Sequence, residues 1–202
     1  MKFTGNYSKI IQDNLKRLYS KLPSDIDAAL PGSKIDNTLV FTAFGKECRV
    51  TPDSIFLDSE IEAGVLGILI SLYALHVNKE ECVTMPLTAF KDIPNTMPYV
   101  GAFANNTEGV LIPFVKKIEE SQKRIIEKLD GKDASDMFGG DFSFFVSPLP
   151  KIKLCYIFYH SDEEFPASAT CLFSKNVLSF LPVDAIADVG EYTSKLIISL
   201  LL

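Results

Sequence analysis

Histidine and closely spaced cysteine are scarce in this chain. It carries two His and four Cys, and Cys48, Cys82, Cys155 and Cys171 stand far apart with no C-x-x-C pair. Zinc and iron–sulfur centres draw on thiolates at short spacing, so neither is expected. Apolar neighbours surround the cysteines, which predicts buried, reduced thiols. The phosphate-binding signatures are missing too: there is no Walker sequence and no G-x-G-x-x-G, which excludes nucleotide binding by those routes. No G-x-S-x-G is present to set a serine on a nucleophile elbow. Positive charge is in short supply, with 20 Lys and Arg against 26 Asp and Glu and a formal net charge of -6. Lys116-Lys117, Lys123-Arg124 and Lys151/Lys153 gather it only in short clusters. Nucleic-acid affinity needs clustered cations that release counterions, so a general nucleic-acid binder is excluded. The most apolar run, residues 63–75, is shorter than the roughly 20 residues that span a bilayer. Residues 1–6 hold no apolar signal core. The expectation is a cytoplasmic protein without membrane contact.

What the chain does hold is an ordinary globular composition, 47% hydrophobic and 23% charged over 202 residues. A chain of this length buries roughly 70% of its unfolded surface. That predicts a single domain, with residues 1–32 as an N-terminal helical segment and 33–202 as the main body. Tyr7, Ile11, Leu15, Leu18 and Leu22 recur at helical spacing after Asn6, a candidate N-cap, and Pro23 closes the helix. Residues 24–30 read as a short second helix. Residues 38–44 and 47–50 read as a hairpin about Gly45-Lys46, with 54–57 as a third strand.

Ser59 and Glu62 form an S-x-x-E capping box ahead of an apolar central helix over residues 60–76. Gly64, Gly67 and Ser71 make a small-residue stripe suited to close helix packing, and His76 suits the helix C-terminus. Residues 82–85 read as a short strand. A long helix is expected over 107–130, with Pro113 as an obstacle and Gly131 as its C-cap. Residues 141–147, 152–160 and 169–173 read as strands, and a terminal helix follows Pro182. This order lacks regular alternation of strand and helix. It predicts an α+β fold, an antiparallel sheet with a C-terminal hairpin packed against several helices.

The most informative segment is His160-Ser161-Asp162-Glu163-Glu164-Phe165-Pro166-Ala167-Ser168, set between two apolar runs. In extended backbone alternate side chains share a face, which would bring His160, Asp162 and Glu164 together. One imidazole and two carboxylates suit a hard or borderline divalent cation, or a general acid–base set. With Glu163 and Phe165 they are the candidate ligand-binding residues. The competing reading is a turn whose carboxylates face water or accept backbone N–H bonds, with Phe165 before Pro166 anchoring the core edge. Phe142, Phe144, Tyr156 and Phe158 read as core, or as the wall of a pocket for a flat apolar cofactor.

Four stretches, Phe138-Gly139-Gly140-Asp141, Pro148-Leu149-Pro150, Asp162-Glu163-Glu164-Phe165-Pro166-Ala167-Ser168 and Leu172-Phe173, resemble the prokaryotic domain-of-unknown-function family numbered 3786. Looser matches at Phe44-Gly45, Val50-x-Pro52-Asp53 and Leu72-Tyr73-Ala74 extend the resemblance over most of the chain beyond Leu39. It implies a setting in anaerobic bacteria and archaea. Some members are joined to a cysteine-rich iron–sulfur segment and carry that label. This chain has no such cluster, so the function is not carried over, and the family offers no catalytic residues to transfer. Cofactor and enzymatic activity stay open. The expected function is an accessory or binding module of anaerobic metabolism that meets a small molecule or protein partner at the apolar hairpin and its acidic mouth. The alternatives are a divalent-metal enzyme centred on His160, Asp162 and Glu164, and a structural homo-oligomer joined through the apolar stretch at 196–202.

Overall fold

The computed structural model describes residues 4–23 and 26–201. α1 (Thr4–Ser20) buries Ile11, Leu15 and Leu18, the stripe its spacing predicts. It begins before Asn6, which therefore lies within the helix instead of capping it. α2 is a single turn (Ile26–Ala29), and the expected start of that helix at Ser24 lies outside the described residues. The first sheet follows chain order: β1 (Ser33–Ile35), β2 (Thr38–Ala43), β3 (Lys46–Val50), β4 (Ile55–Leu57) and β5 (Glu60–Ile61). Positive φ at Asp36, at Phe44 with Gly45, and at Asp58 with Ser59 makes its tight turns. β1 and β5 escape a sequence reading because two or three residues are too few to display alternation.

The predicted capping box is not formed. Ser59 sits in the β4–β5 turn, where its hydroxyl accepts a hydrogen bond from Arg49 Nη2 at 3.1 Å. The central helix, α3 (Val65–His76), starts later than expected, and Glu62 Oε1 accepts the Gly64 N–H at 2.6 Å. The small-residue stripe serves packing. A Cβ on Gly67 would stand 2.7 Å from Ile11 Cδ1, so α1 lies directly on this face. Asn14 Nδ2 donates to Ser71 Oγ at 3.0 Å across the same contact. His76 Nδ1 lies 2.8 Å from the Leu72 carbonyl, consistent with its place in the last turn.

The long helix expected over 107–130 is broken into pieces. α4 (Val100–Phe103) runs into a π-helical turn (Ala104–Glu108), a 3₁₀ stretch (Gly109–Phe114), α5 (Val115–Glu120) and α6 (Gln122–Lys128). Pro113 has no N–H to give to the α-helical ladder, and its ring crowds the preceding turn. Ile118, Ile125 and Leu129 still face inward, as the spacing predicts. The left-handed residue at the end is Asp130 (φ 46). Gly131 is needed for clearance, because a Cβ there would collide with the Phe145 carbonyl oxygen.

The second sheet has the order β6-β10-β9-β8-β7. Its strands are β6 (Thr88–Ala89), β7 (Lys132–Asp133), β8 (Phe142–Leu149), β9 (Ile152–Tyr159) and β10 (Ser168–Phe173). β8 continues through Pro148 because a register shift between Val146 and Leu149 accommodates the proline. One face of this sheet packs beneath α7 (Val183–Ser199) and the broken helix. Phe142 and Phe158 stack there with centroids 4.7 Å apart. Tyr156 Oη meets Ser194 Oγ at 3.1 Å, and Ser194 donates to the Thr107 carbonyl at 2.8 Å. Glu108 Oε1 accepts the Cys171 N–H at 3.0 Å, completing β10 beyond the reach of the two-residue β6. Burial raises the Glu108 carboxyl above its ordinary value, and the Cys171 bond opposes the rise.

The aromatic faces are therefore core, and one buried cluster runs through both sheets. Residues 82–85 form a connecting segment instead of the expected strand. It is tied by Lys175 N–H to the Val83 carbonyl and by Val83 N–H to Asn176 Oδ1, each at 2.8 Å. Among the described residues no helix is long and apolar enough to cross a membrane.

Candidate functional site

Residues 160–168 connect β9 to β10 as an exposed loop whose polar groups are engaged locally. Asp141 Oδ2 accepts the His160 N–H at 2.6 Å, and His160 Nε2 lies 3.3 Å from Glu119 Oε2 on α5. Asp162 Oδ1 accepts the N–H groups of Glu164 at 2.8 Å and Phe165 at 2.7 Å, and its own N–H closes onto the Phe165 carbonyl at 3.0 Å. Those two donors hold the Asp162 carboxyl below its usual range. Glu163 and Glu164 are exposed. Phe165 is 66% exposed and plugs no core edge. The extended alternation stops at Asp162, so His160, Asp162 and Glu164 do not share a face. Among the described residues no three His, Cys, Asp or Glu side chains gather closely enough to hold a metal ion.

The outer face of the same hairpin offers a more developed site. Strand alternation turns Phe145, Lys153, Cys155 and Leu172 away from α7. Two segments strap this face, 82–89 and 133–139. Leu87 from the first strap and Ala134 and Phe138 from the second pack with Phe145 and Cys155 into a small separate cluster. Burial pushes the Cys155 thiol up to about 12.

Beside that cluster the straps leave a concavity of about 360 Å³ with Phe145, Met85 and Met137 in its lining. Met85 and Met137 are 48% and 54% exposed, while Phe145 is 8% exposed. Lys132 and Lys153 bring two ammonium groups to the same space. Lys153 Nζ donates to Ser147 Oγ at 3.2 Å, and Ser147 donates to the Asp130 carbonyl at 2.9 Å. Among the described residues neither lysine has a carboxylate within ion-pair distance. Apolar lining, deformable methionine walls and two lysines against the single carboxylate of Asp130 suit an anion with an apolar body.

Sequence reasoning did not single out these residues. A usable signal lay in the strand period: once Phe142 and Phe144 face the core, Phe145 faces the other way. The methionines come from distant connecting segments with no periodicity to tie them to that strand.

The cysteines do not fit a metal or iron–sulfur centre. Cys48 lies on β3, Cys82 is the first residue of the first strap, and Cys155 and Cys171 occupy opposite faces of neighbouring strands.

Two antiparallel sheets, helices covering one face of the second and a ligand-sized concavity on its other face define an α+β protein with a candidate binding surface. The chain belongs to the family described as Domain of unknown function (DUF3786), whose model matches residues 23–196. That span includes both sheets, both straps and the 160–168 loop. No curated protein and no solved structure matches the chain.

Proposed function

We propose that the chain is a binding module for a small amphipathic anion, an organic acid with an apolar body, held between the two straps on the outer face of the C-terminal hairpin. The observation that carries this reading is the half-buried Lys153, which lines the concavity and whose ammonium is hydrogen-bonded to a hydroxyl but to no carboxylate. An anion offers a charge-assisted partner to an ammonium bonded only to a neutral hydroxyl. A charge-assisted hydrogen bond of this kind contributes ~1.5–3 kcal/mol. Covering Met85 and Met137 adds ~25 cal/mol for each Å² of apolar surface removed from water. The family resemblance supports an accessory role in anaerobic metabolism, and the short apolar runs support a cytoplasmic one. No feature of the 160–168 loop favours the divalent-metal reading over this one.

The fluorescent sulfonate 8-anilinonaphthalene-1-sulfonate is a suitable probe because it combines an anion with an aromatic body. It should brighten on the folded protein and be displaced by octanoate but not by octylamine. Lys153→Met should weaken octanoate about tenfold, or ~1.4 kcal/mol, with circular dichroism and melting temperature retained. Absence of fluorescence enhancement, equal displacement by the acid and the amine, or full affinity in Lys153→Met would overturn the reading.

A further inference from the structure

The walls of the concavity contain two methionines that the core does not use. Met85 comes from the first strap and Met137 from the second, and both line the same space. The two residues are 48% and 54% exposed, and among the described residues neither belongs to a buried cluster. The backbone around each is nonetheless held. Val83 donates its N–H to Asn176 and accepts from Lys175, and β6 begins at Thr88, so Met85 sits in a short span fixed at both ends. The Met137 N–H donates to the Ala134 carbonyl at 2.8 Å. The fold therefore presents two thioethers to solvent at a defined place.

An exposed thioether is open to oxidation. A peroxide transfers one oxygen to sulfur: its O–O bond breaks, an S–O bond forms, the sulfur loses two electrons, and the peroxide leaves as water or an alcohol. The product, methionine sulfoxide, is polar, and sulfoxide reductases reverse it. Two effects on the concavity follow. The walls that would cover a ligand's apolar body become polar, so burying them costs free energy. The sulfoxide oxygen also places a hydrogen-bond acceptor in a lining that holds the Lys132 and Lys153 ammonium donors, where it competes with a ligand carboxylate.

We propose that Met85 and Met137 form a reversible redox switch: their oxidation by a peroxide closes the concavity to an amphipathic acid, and reduction reopens it. The switch rests on the concavity binding such an acid, and it adds regulation of that same site. Met97 serves as an internal control, because it is 78% exposed and is not among the lining residues. Cys82 is partly exposed, so thiol oxidation has to be reversed separately.

Octanoate affinity before and after hydrogen peroxide tests the switch, with dithiothreitol added afterwards to return oxidised cysteine to the thiol and peptide mass spectrometry counting sulfoxide at each methionine. Peroxide should oxidise Met85, Met97 and Met137 with circular dichroism retained, and octanoate affinity should fall about tenfold. Saturating octanoate present during the treatment should slow oxidation at Met85 and Met137 but not at Met97. Methionine sulfoxide reductases should restore binding. In Met85→Leu/Met137→Leu, whatever its starting affinity, peroxide should leave octanoate binding where it was, whereas Met97→Leu should respond as the parent does. Failure of octanoate to bind the untreated protein would remove the binding reading and the switch with it. Binding that survives complete sulfoxide formation at Met85 and Met137, or a loss that persists in Met85→Leu/Met137→Leu, would overturn the switch alone.

Discussion

The two faces of the C-terminal hairpin come from alternate residues of the same strands, yet they reach different end states. On the inner face Phe144, Tyr156, Phe158 and Phe173 are fully buried, and the Tyr156 hydroxyl has Ser194 as its partner. On the outer face Phe145 and Cys155 belong to a small separate cluster, with Met85, Met137 and Lys153 partly open beside them. The covering element makes the difference. Helices bring a wide apolar stripe and close a sheet face. Straps bring a few side chains and leave gaps.

Two lysines on β9 and its preceding turn draw the same contrast. Lys151 is buried, donates to the Asn78 and Glu80 carbonyls at 2.6 and 2.8 Å, and pins the segment leading into the first strap. Burial lowers its pKa, partly offset by Cys82, Glu81 and Glu80. Lys153, two residues on, has a single hydroxyl partner and faces the concavity. One ammonium is held by two carbonyls, and the other by a single hydroxyl.

Core truncation is the sharpest way to break this comparison. Phe158→Ala should cost ~3–5 kcal/mol in urea unfolding, whereas Phe145→Ala should cost less than about 2 kcal/mol because its cluster is small and adjoins open space. Equal losses would remove the distinction between the faces. Lys151→Met should cost ~1–3 kcal/mol by stripping two carbonyls of their donor. Hydrogen exchange should also accelerate around residues 77–88, and unchanged protection there would mean that Lys151 does not hold the strap.

Gly131→Ala should cost ~1–3 kcal/mol through forced displacement at the Phe145 carbonyl, and it should also weaken octanoate by reshaping the concavity. Asp162→Ala should have the smallest effect. Its folded-state pKa is depressed by the Glu164 and Phe165 N–H groups. The stability it contributes is therefore present above the unfolded-state value of about 3.9 and is lost as pH falls through the lower folded-state value. The melting-temperature gap between parent and variant should narrow over that acidic range. A gap that persisted at the acid end would show that the charge-assisted bonds are not its source.

Much of the fold could be read in the sequence wherever a repeating pattern was long enough to show itself. α1, the three long strands of the second sheet and α7 each carry several periods of alternation. The failures have local causes. Ser59 and Glu62 satisfied the spacing of a capping box, but the Asp58-Ser59 turn was already committed to joining β4 and β5. The apolar stripe from Ile118 to Leu129 predicted an unbroken helix, and the pattern survives although the backbone ladder breaks at Pro113 and Ser121. The 160–168 run was legible as a turn rich in carboxylates, and its two-residue period failed where Asp162 folded back on its own backbone. The concavity was hidden because Met85, Lys132, Met137 and Lys153 come from four segments brought together only by the sheet.

The central claim is that an amphipathic acid occupies the gap between the straps, and methionine-methyl NMR tests it most directly. The chain has four methionines; Met85 and Met137 line the concavity, whereas Met97 lies in the 3₁₀ turn Met97–Tyr99 and is not among the lining residues. Titration with octanoate should shift the Met85 and Met137 methyl signals along one saturable curve and leave Met97 in place. Unmoved Met85 and Met137 signals, or an equal drift of Met97, would contradict the account.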